Sequence, residues 1–561
     1  MKAFLYTLVL AAVLVVAVVF LYSLSRRAST GASRDTRMAR PRAPMTVKSE
    51  PVTLGEMDRT GIDDSNRDAL YQTGAELLDL WHLPEAIGIF EAVVELDTTH
   101  VAGYCKLIEC YSHPIIGQER NARSAYLKAM EAARQSGGDT LWVSAVGSLF
   151  IEHNYAGAID KFKDFEKHYG ANDDLLFFLG QGYFQAGAVA QAERYLGDLL
   201  DRDPSLGRAK ELFVRCMVAR GELGVAESTA RDIASMYPEE PYPYVFLSQV
   251  LMLSGRVEEA VEFGNNALRL DEKYIPAIVS RAHLYVAEQK PWAARVSFEK
   301  LLLFDEQAVR AVGSEGIAYV GFLTGRFDQA SLDMDEAIRQ AMNIGSTRRG
   351  LVYAFRLIDY LCELGRTESA RAVLDRWVTR FGDIPTRLGQ LRIVISEGDI
   401  SSVGYMLQKI KMDESWLSWM KALRLDYVDI QALTMIKEKD FAGAVDLLDK
   451  APQPSISGGR RDYLMGYATF ENGGAEQAAV HFERARSRLH GLEFPFHSDP
   501  VLYVQSVFFL AEAAVARGES ADAIQFYTEF LGLWGNPDWE VKAVERAKNK
   551  LETLSKTAVG G

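Results

Sequence analysis

The chain has 561 residues, 48% hydrophobic and 25% charged, which is too much apolar material for a disordered protein and enough for a folded body larger than one ordinary domain. Its net charge is -14; residues 1–48, with eight Lys/Arg and one Asp, contribute +7, so everything after them carries -21. An acidic body excludes a nucleic-acid surface built on bulk charge, and four scattered cysteines, Cys105, Cys110, Cys216 and Cys362, exclude a disulfide framework.

The first predicted element is an uncharged run from Ala3 to Leu24. Its 22 residues, at about 1.5 Å each, reach roughly the 30 Å of a bilayer core. Tyr6 and Tyr22 stand near its ends, where amphipathic rings sit at the interface. A cleaved secretory leader has an apolar stretch of about 7 to 15 residues and a small-residue cleavage site. The longer run here, followed by Ser25, Arg26 and Arg27, reads as a retained single-pass transmembrane anchor over residues 1–25. Residues 26–66, rich in Arg, Ser, Thr, Gly and Pro and without an apolar period, read as a basic flexible linker. Its arginines either lie on anionic headgroups or only set topology. Arg26, Arg27, Arg34, Arg37 and Arg40 follow the apolar run closely, against Lys2 and the terminal amine before it. That excess places the remainder of the chain in the cytoplasm, with a periplasmic or other extracytoplasmic location as the alternative.

From residue 67 onward an internal period takes over. Ala158, Ala192, Ala226, Ala260 and Ala294 recur at one constant interval. Twelve residues before each stands Val146, Gly180, Val214, Ser248 or Ala282, and four residues after each stands Phe162, Leu196, Ala230, Gly264 or Phe298. The same frame holds upstream at Gly74, Ala86 and Phe90. Downstream it continues at Ala318 with Ala330, Ile358 with Ala370, Ala432 with Ala444, Gly466 with Ala478 and Phe482, and Ala511 with Ala523 and Tyr527. Seven residues after the first small position, where a helix must end, stand Gly187, Gly221, Gly255, Gly325, Gly365, Gly473 and Gly518. Trp81, His153, Gln289 and Lys439 occupy that place in other units, and a different closure of those turns is expected.

This pattern resembles the tetratricopeptide-repeat (TPR) family, whose unit is a pair of antiparallel helices with small residues where the two touch. The resemblance covers about residues 67 to 555 in about 12 units. It implies an all-α fold, a TPR-type α-solenoid that coils as a right-handed superhelix, preceded by one transmembrane helix. The expected division is an N-terminal TPR array over 67–382, an irregular helical segment over 383–425 that fits the frame poorly, and C-terminal TPR repeats over 426–561. An insertion, Ser112 to Glu119, interrupts the unit at 101–135. The last unit, from Pro500, is similar to terminal repeats of bacterial multidomain TPR proteins, some of which carry a kinase; the kinase elements themselves are missing here.

Chemistry-bearing motifs are absent from the sequence: it has no phosphate-binding GxxxxGK[ST], no GxGxxG, no GxSxG and no HExxH. Cys105 and Cys110, five apart on a predicted helix, read as buried small apolar groups rather than metal ligands. The acidic pairs Asp173/Asp174 and Asp333/Asp335 read as solvated helix faces or caps. No enzyme activity, no cofactor and no metal is expected.

What remains is surface. In the TPR frame the first helix of each unit lines the concave face, which gives a candidate groove of Phe177, Gln181 and Phe184; Arg208 and Arg215; Tyr242, Val245, Gln249 and Met252; His283; and Tyr319 and Phe322. Glu211, one helical turn from both Arg208 and Arg215, is expected to neutralise them in part, leaving no clamp for a free carboxylate. Apolar and aromatic anchors beside amide and Arg donors suit a peptide segment or helix of a protein partner. The predicted function is a membrane-anchored scaffold that recruits or assembles partner proteins, with an integral subunit of a larger membrane complex, or an enzyme with an unrecognised site, as alternatives.

Overall fold

The structure, a computed structural model, describes residues 64–138, 140–412, 416–417, 419–420, 423, 425–451, 459–488 and 499–560. The predicted anchor at 1–25 and nearly all of the predicted linker lie outside them. Residues 59–561 form one compact unit.

Among the described residues there are 27 α-helices and no strand. They pair in chain order as antiparallel hairpins: α1 (Asp64–Asp79) with α2 (Leu83–Leu96), α3 (Val101–Ser112) with α4 (Glu119–Ser136), α5 (Thr140–Phe150) with α6 (Tyr155–Tyr169), and α7 (Asp173–Gln185) with α8 (Val189–Arg202). The series continues through α9 (Gly207–Arg220), α10 (Leu223–Met236), α11 (Pro241–Leu253), α12 (Val257–Leu270), α13 (Ile275–Ala287), α14 (Pro291–Leu301), α15 (Gln307–Leu323) and α16 (Phe327–Asn343). It ends with α17 (Thr347–Glu363), α18 (Thr367–Val373), α19 (Asp383–Glu397), α20 (Ile400–Met412), α21 (Tyr427–Lys437), α22 (Phe441–Lys450), α23 (Arg460–Glu471), α24 (Ala475–Arg488), α25 (Pro500–Arg517), α26 (Ser520–Trp534) and α27 (Lys542–Gly560).

The repeat period has a steric cause that is visible at the hairpins that carry a framing alanine. The framing alanines Ala86, Ala158, Ala192, Ala226, Ala260, Ala294, Ala330, Ala370, Ala444, Ala478 and Ala523 are all 0% exposed. Where the partner position is glycine, the residue sixteen further on fills the gap. A Cβ on Gly74 would lie 2.8 Å from the Phe90 ring, one on Gly180 2.8 Å from Leu196, and one on Gly466 2.9 Å from the Phe482 ring. Phe90, Phe162, Phe298 and Phe482 are fully buried by this closure, each worth about 1.5–3 kcal/mol of apolar transfer. Ser248 fits the same slot by donating its hydroxyl to the Ala260 carbonyl at 2.7 Å. The apolar core forms two main clusters, one spanning Leu78 to Leu284 and the other Ile278 to Ala547.

All seven framed glycines sit at the hairpin turns with φ between +72° and +89°. The four turns without glycine are not closed differently, contrary to the sequence-based expectation. Trp81, His153, Gln289 and Lys439 adopt the same left-handed conformation, with φ of 62°, 52°, 59° and 65°. Each therefore carries the roughly 1–2 kcal/mol that a Cβ costs there.

Residues 383–412 form a further hairpin, α19 with α20, turned at Gly398 (φ +80°). The frame missed it because Leu391 and Val403, both buried, stand where small residues were sought. The departure from regularity lies just before it, where α18 ends after seven residues and runs into a π-helical turn, Leu374–Val378, and a 3₁₀ turn, Thr379–Phe381. Helix α25 is apolar and long enough to cross a membrane, yet most of it is buried among its neighbours as a core helix.

The array also touches itself over long sequence distances. The Asp538 carboxylate accepts from the backbone N–H groups of Phe327 and Asp328 at 2.9 and 3.1 Å, capping the start of α16. Beside it Trp534 Nε1 donates to the Phe322 carbonyl at 3.0 Å, and Trp539 Nε1 donates to Asp328 at 2.7 Å. In the N-terminal half the α3–α4 connection meets the start of α17. The Arg349 guanidinium donates to the carbonyls of Pro114 and Ala308, and Arg348 donates to His153 Nε2 at 2.9 Å.

Candidate functional site

The contact at the start of α17 borders a half-open cavity of about 330 Å³ inside the first half of the array. Its walls come from the first helices of successive hairpins, and its far side is the start of α17. Six of the twelve predicted groove residues line it: Phe177, Gln181, Phe184, Arg208, Arg215 and Tyr242. The other six do not. Val245, His283, Tyr319 and Phe322 are buried, Tyr319 at 2% and Phe322 at 0% exposure, and Gln249 and Met252 are half-buried away from the cavity. Phe322 packs edge-on against Tyr360 at 5.0 Å and lies under Trp534. The face it shares with Tyr319 is covered by neighbouring helices and by the C-terminal hairpin, and a partner would not meet it as open surface.

Trp81 forms one wall. Its ring stacks on Tyr242 at 4.6 Å, and its Nε1 donates to Glu211 at 2.7 Å. Glu211 also accepts from Tyr242 at 2.8 Å and pairs with Arg215 at 2.7 Å. Burial alone would raise the Glu211 carboxyl; the Arg215 guanidinium and the hydrogen bonds from Tyr242, Arg215 and Trp81 hold it below the usual carboxylate range. Contrary to the sequence-based expectation, Glu211 does not neutralise Arg208. Arg208 turns instead to Asp79 at 2.8 Å and to Glu109, and lies over the Phe177 ring at 4.7 Å. Glu109 lies 3.6 Å from Lys106, which reaches Asp174 at 2.6 Å. Asp174 is thus part of an ion-pair network rather than a solvated face. Asp335 likewise pairs with Arg376 at 3.2 Å and with the Trp377 Nε1 at 2.6 Å.

At the α17 side stand Ser346, Arg348, Arg349 and His113. Burial pushes His113 down to about 4, so its imidazole is neutral at pH 7. All four cysteines are free and buried, and no group of His, Cys, Asp and Glu suited to a metal ion occurs among the described residues.

Sequence reading did not find Trp81, His113, Tyr274, Ser346, Arg348 or Arg349 as cavity residues. Trp81 carried a usable signal, since a bulky aromatic at a glycine position implies that its ring is held by something else. The arginines of α17 carried none, because they meet the cavity from a remote part of the chain, Arg349 reaching Pro114 across 235 residues.

No family model matches the chain. It is similar to the TPR repeat-containing protein YpiA of Bacillus subtilis (strain 168), with 21% identity over 336 residues, 54% of this chain and 76% of that one. Among solved structures it is similar to a tetratricopeptide repeat protein from Parabacteroides merdae, at 15% identity and a TM-score of 0.30, covering 44% of this chain and 96% of that one. It is also similar to yeast Tom70, at 14% identity and a TM-score of 0.26, covering 88% of this chain and 96% of that one. The curated relative is named a TPR repeat-containing protein, and this chain is built from consecutive antiparallel helical hairpins.

Proposed function

We propose that the chain is a protein-interaction scaffold, held at a membrane by residues 1–25 and presenting its repeat array on the cytoplasmic side. The observation that carries the binding role is the inner cavity, where Phe177, Gln181, Phe184 and Tyr242 stand only half-buried along successive hairpins. Rings and amides on a rigid repeat framework give a partner side chain apolar area to bury, at about 1.5–3 kcal/mol for each well-covered anchor before ordering entropy is subtracted. No catalytic role is assigned to any residue. The test is affinity capture with the full chain from detergent-solubilised membranes, comparing wild type with a Phe177→Ala, Phe184→Ala double variant of unchanged melting temperature. Loss of the captured protein is the expected result, and undiminished capture moves the binding surface off the inner face. Topology is tested separately by a reporter after Gly561 that is active only outside the cytoplasm; activity there overturns the cytoplasmic assignment.

A further inference from the structure

The turn between α1 and α2 is fastened to helices far along the chain. Asp79 accepts from Arg208 at 2.8 Å, Trp81 stacks on Tyr242 at 4.6 Å and donates to Glu211 at 2.7 Å, and His82 Nε2 meets Glu240 Oε2 at 2.8 Å. Arg208 and Glu211 belong to α9, and Glu240 and Tyr242 to the start of α11. A Cβ on Gly207, the first residue of α9, would lie 2.8 Å from the Trp81 ring and 3.1 Å from the Asp79 carbonyl, so the turn docks this closely because position 207 is glycine. Leu78, Trp81 and Leu83 line the cavity. This turn is therefore one of its walls, and His82 fastens the wall without itself lining the cavity.

Of these contacts, the pair His82–Glu240 is the one whose charge changes near neutral pH. Its side chains are 35% and 21% exposed, so water can replace either partner when the pair separates. The charges that face His82 are all negative: Glu240 before α11, Glu85 on its own helix α2, and Asp271 at the end of α12. The nearby guanidiniums are engaged elsewhere, Arg208 by Asp79 and Glu109 and Arg215 by Glu211. Tyr274, beside Glu240 and Asp271, keeps its proton because burial raises it well above the ordinary phenol range. The hydrogen bond to Glu240 raises the His82 imidazole above its ordinary value; burial opposes this, and the charges of Glu240, Glu85 and Asp271 add to the rise. A raised imidazole favours the docked turn fully below the ordinary histidine range, about 6.5, and that contribution is lost as pH rises through the raised value.

We propose that the α1–α2 turn is a pH-sensitive latch on the cavity: protonated His82 fastens it to Glu240, and loss of that proton loosens the turn and withdraws Trp81 from the wall. The latch regulates the cavity to which the scaffold reading brings a partner, and it rests on that reading for its consequence. Its own operation is measured with no partner present.

The test is hydroxyl-radical footprinting of the purified full chain in detergent, read by mass spectrometry as the labelling of Trp81 relative to Trp534. Both indoles are buried, at 9% and 1% exposure, and Trp534 belongs to the other closure, far from any change at His82. Relative labelling of Trp81 is expected to rise by about threefold or more between about pH 5.5 and about pH 8. His82→Gln keeps a neutral donor for Glu240 at every pH and is expected to give one level of Trp81 labelling at both; Glu240→Gln is expected to remove the pH response as well. Equal labelling of the wild type at both pH values overturns the latch, and so does a pH response that survives in a folded His82→Gln. If neither variant folds, the His82 titration in the wild type decides by nuclear magnetic resonance: a midpoint above about 6.5 is expected, and one at or below it overturns the latch. A pH response at Trp81 in a chain that captures no partner would support the latch and overturn the scaffold reading alone.

Discussion

The carboxylate of Glu119 accepts two hydrogen bonds, at 3.0 and 3.1 Å, from the backbone N–H of Arg348, 229 residues further along the chain. A side chain at the start of α4 thereby caps the start of α17, supplying what a local Ser or Asp supplies at an ordinary helix N-terminus. Glu119→Ala is expected to lower stability by about 1–2 kcal/mol. It should also speed hydrogen exchange at the first turn of α17 and in the α3–α4 connection, while exchange near Asp538 is unchanged. Unaltered exchange at Arg348 and Arg349 would show that the closure does not hold in solution.

The hairpin contacts make opposite forecasts for two glycines on neighbouring helices. Gly180→Ala drives a Cβ to 2.8 Å from Leu196 and is expected to cost about 1–3 kcal/mol, as overpacking does. Gly197, inside α8, has nothing within 4 Å of such a Cβ, so Gly197→Ala is expected to gain about 0.5–1 kcal/mol by stiffening the unfolded chain. Urea midpoints of the two variants should move in opposite directions from that of wild type.

At the turns, Gln289→Gly and Lys439→Gly remove a Cβ from a left-handed position where the side chain is exposed. Relief of about 1–2 kcal/mol of strain exceeds the added freedom of glycine in the unfolded chain, so each is expected to stabilise by roughly 0.5–1 kcal/mol. Trp81→Gly is expected to do the reverse, losing roughly 2–4 kcal/mol, because its ring is stacked on Tyr242 and its Nε1 is bonded to Glu211. Thermal melts that rank the three variants otherwise would place the strain elsewhere.

Asp429 supplies a pH test. Burial, aided by the neighbouring Asp426 charge and only partly offset by Arg461, pushes its carboxyl up to about 6. A raised carboxyl binds a proton in the folded chain that the unfolded chain has already released, so its contribution to stability is present below about 4 and is lost as pH rises through 6. The loss is on the order of 3 kcal/mol. Asp429→Asn is expected to flatten the dependence of the melting midpoint on pH between 4 and 6; an unchanged slope would assign that window to other groups.

The hairpins were legible in the sequence wherever a small residue was the sole solution to a close contact, as at Ala192 under Gly180. They were lost where large side chains stand in the frame and are buried there, as at Leu391 and Val403. The groove was legible only over its first part. Phe177, Gln181, Phe184 and Tyr242 line a cavity because their positions on the first helices of the hairpins face inward, a property of the period. Tyr319 and Phe322 occupy the same positions and are buried, Phe322 where the chain returns with Trp534, 212 residues beyond it. Return contacts leave no mark on a repeat period. They depend on accumulated bend, not on any local sequence.

A plain solenoid tolerates the gain or loss of a repeat, since each unit contacts only its neighbours. The two closures here, Glu119 on α17 and Asp538 on α16, turn the intervening hairpins into a measured span. One hairpin more or fewer would displace an acceptor by about the width of two packed helices, well beyond the reach of a side chain. The array therefore acts as a ruler whose length is set by matching ends, and variation in repeat number is confined to stretches that no closure brackets.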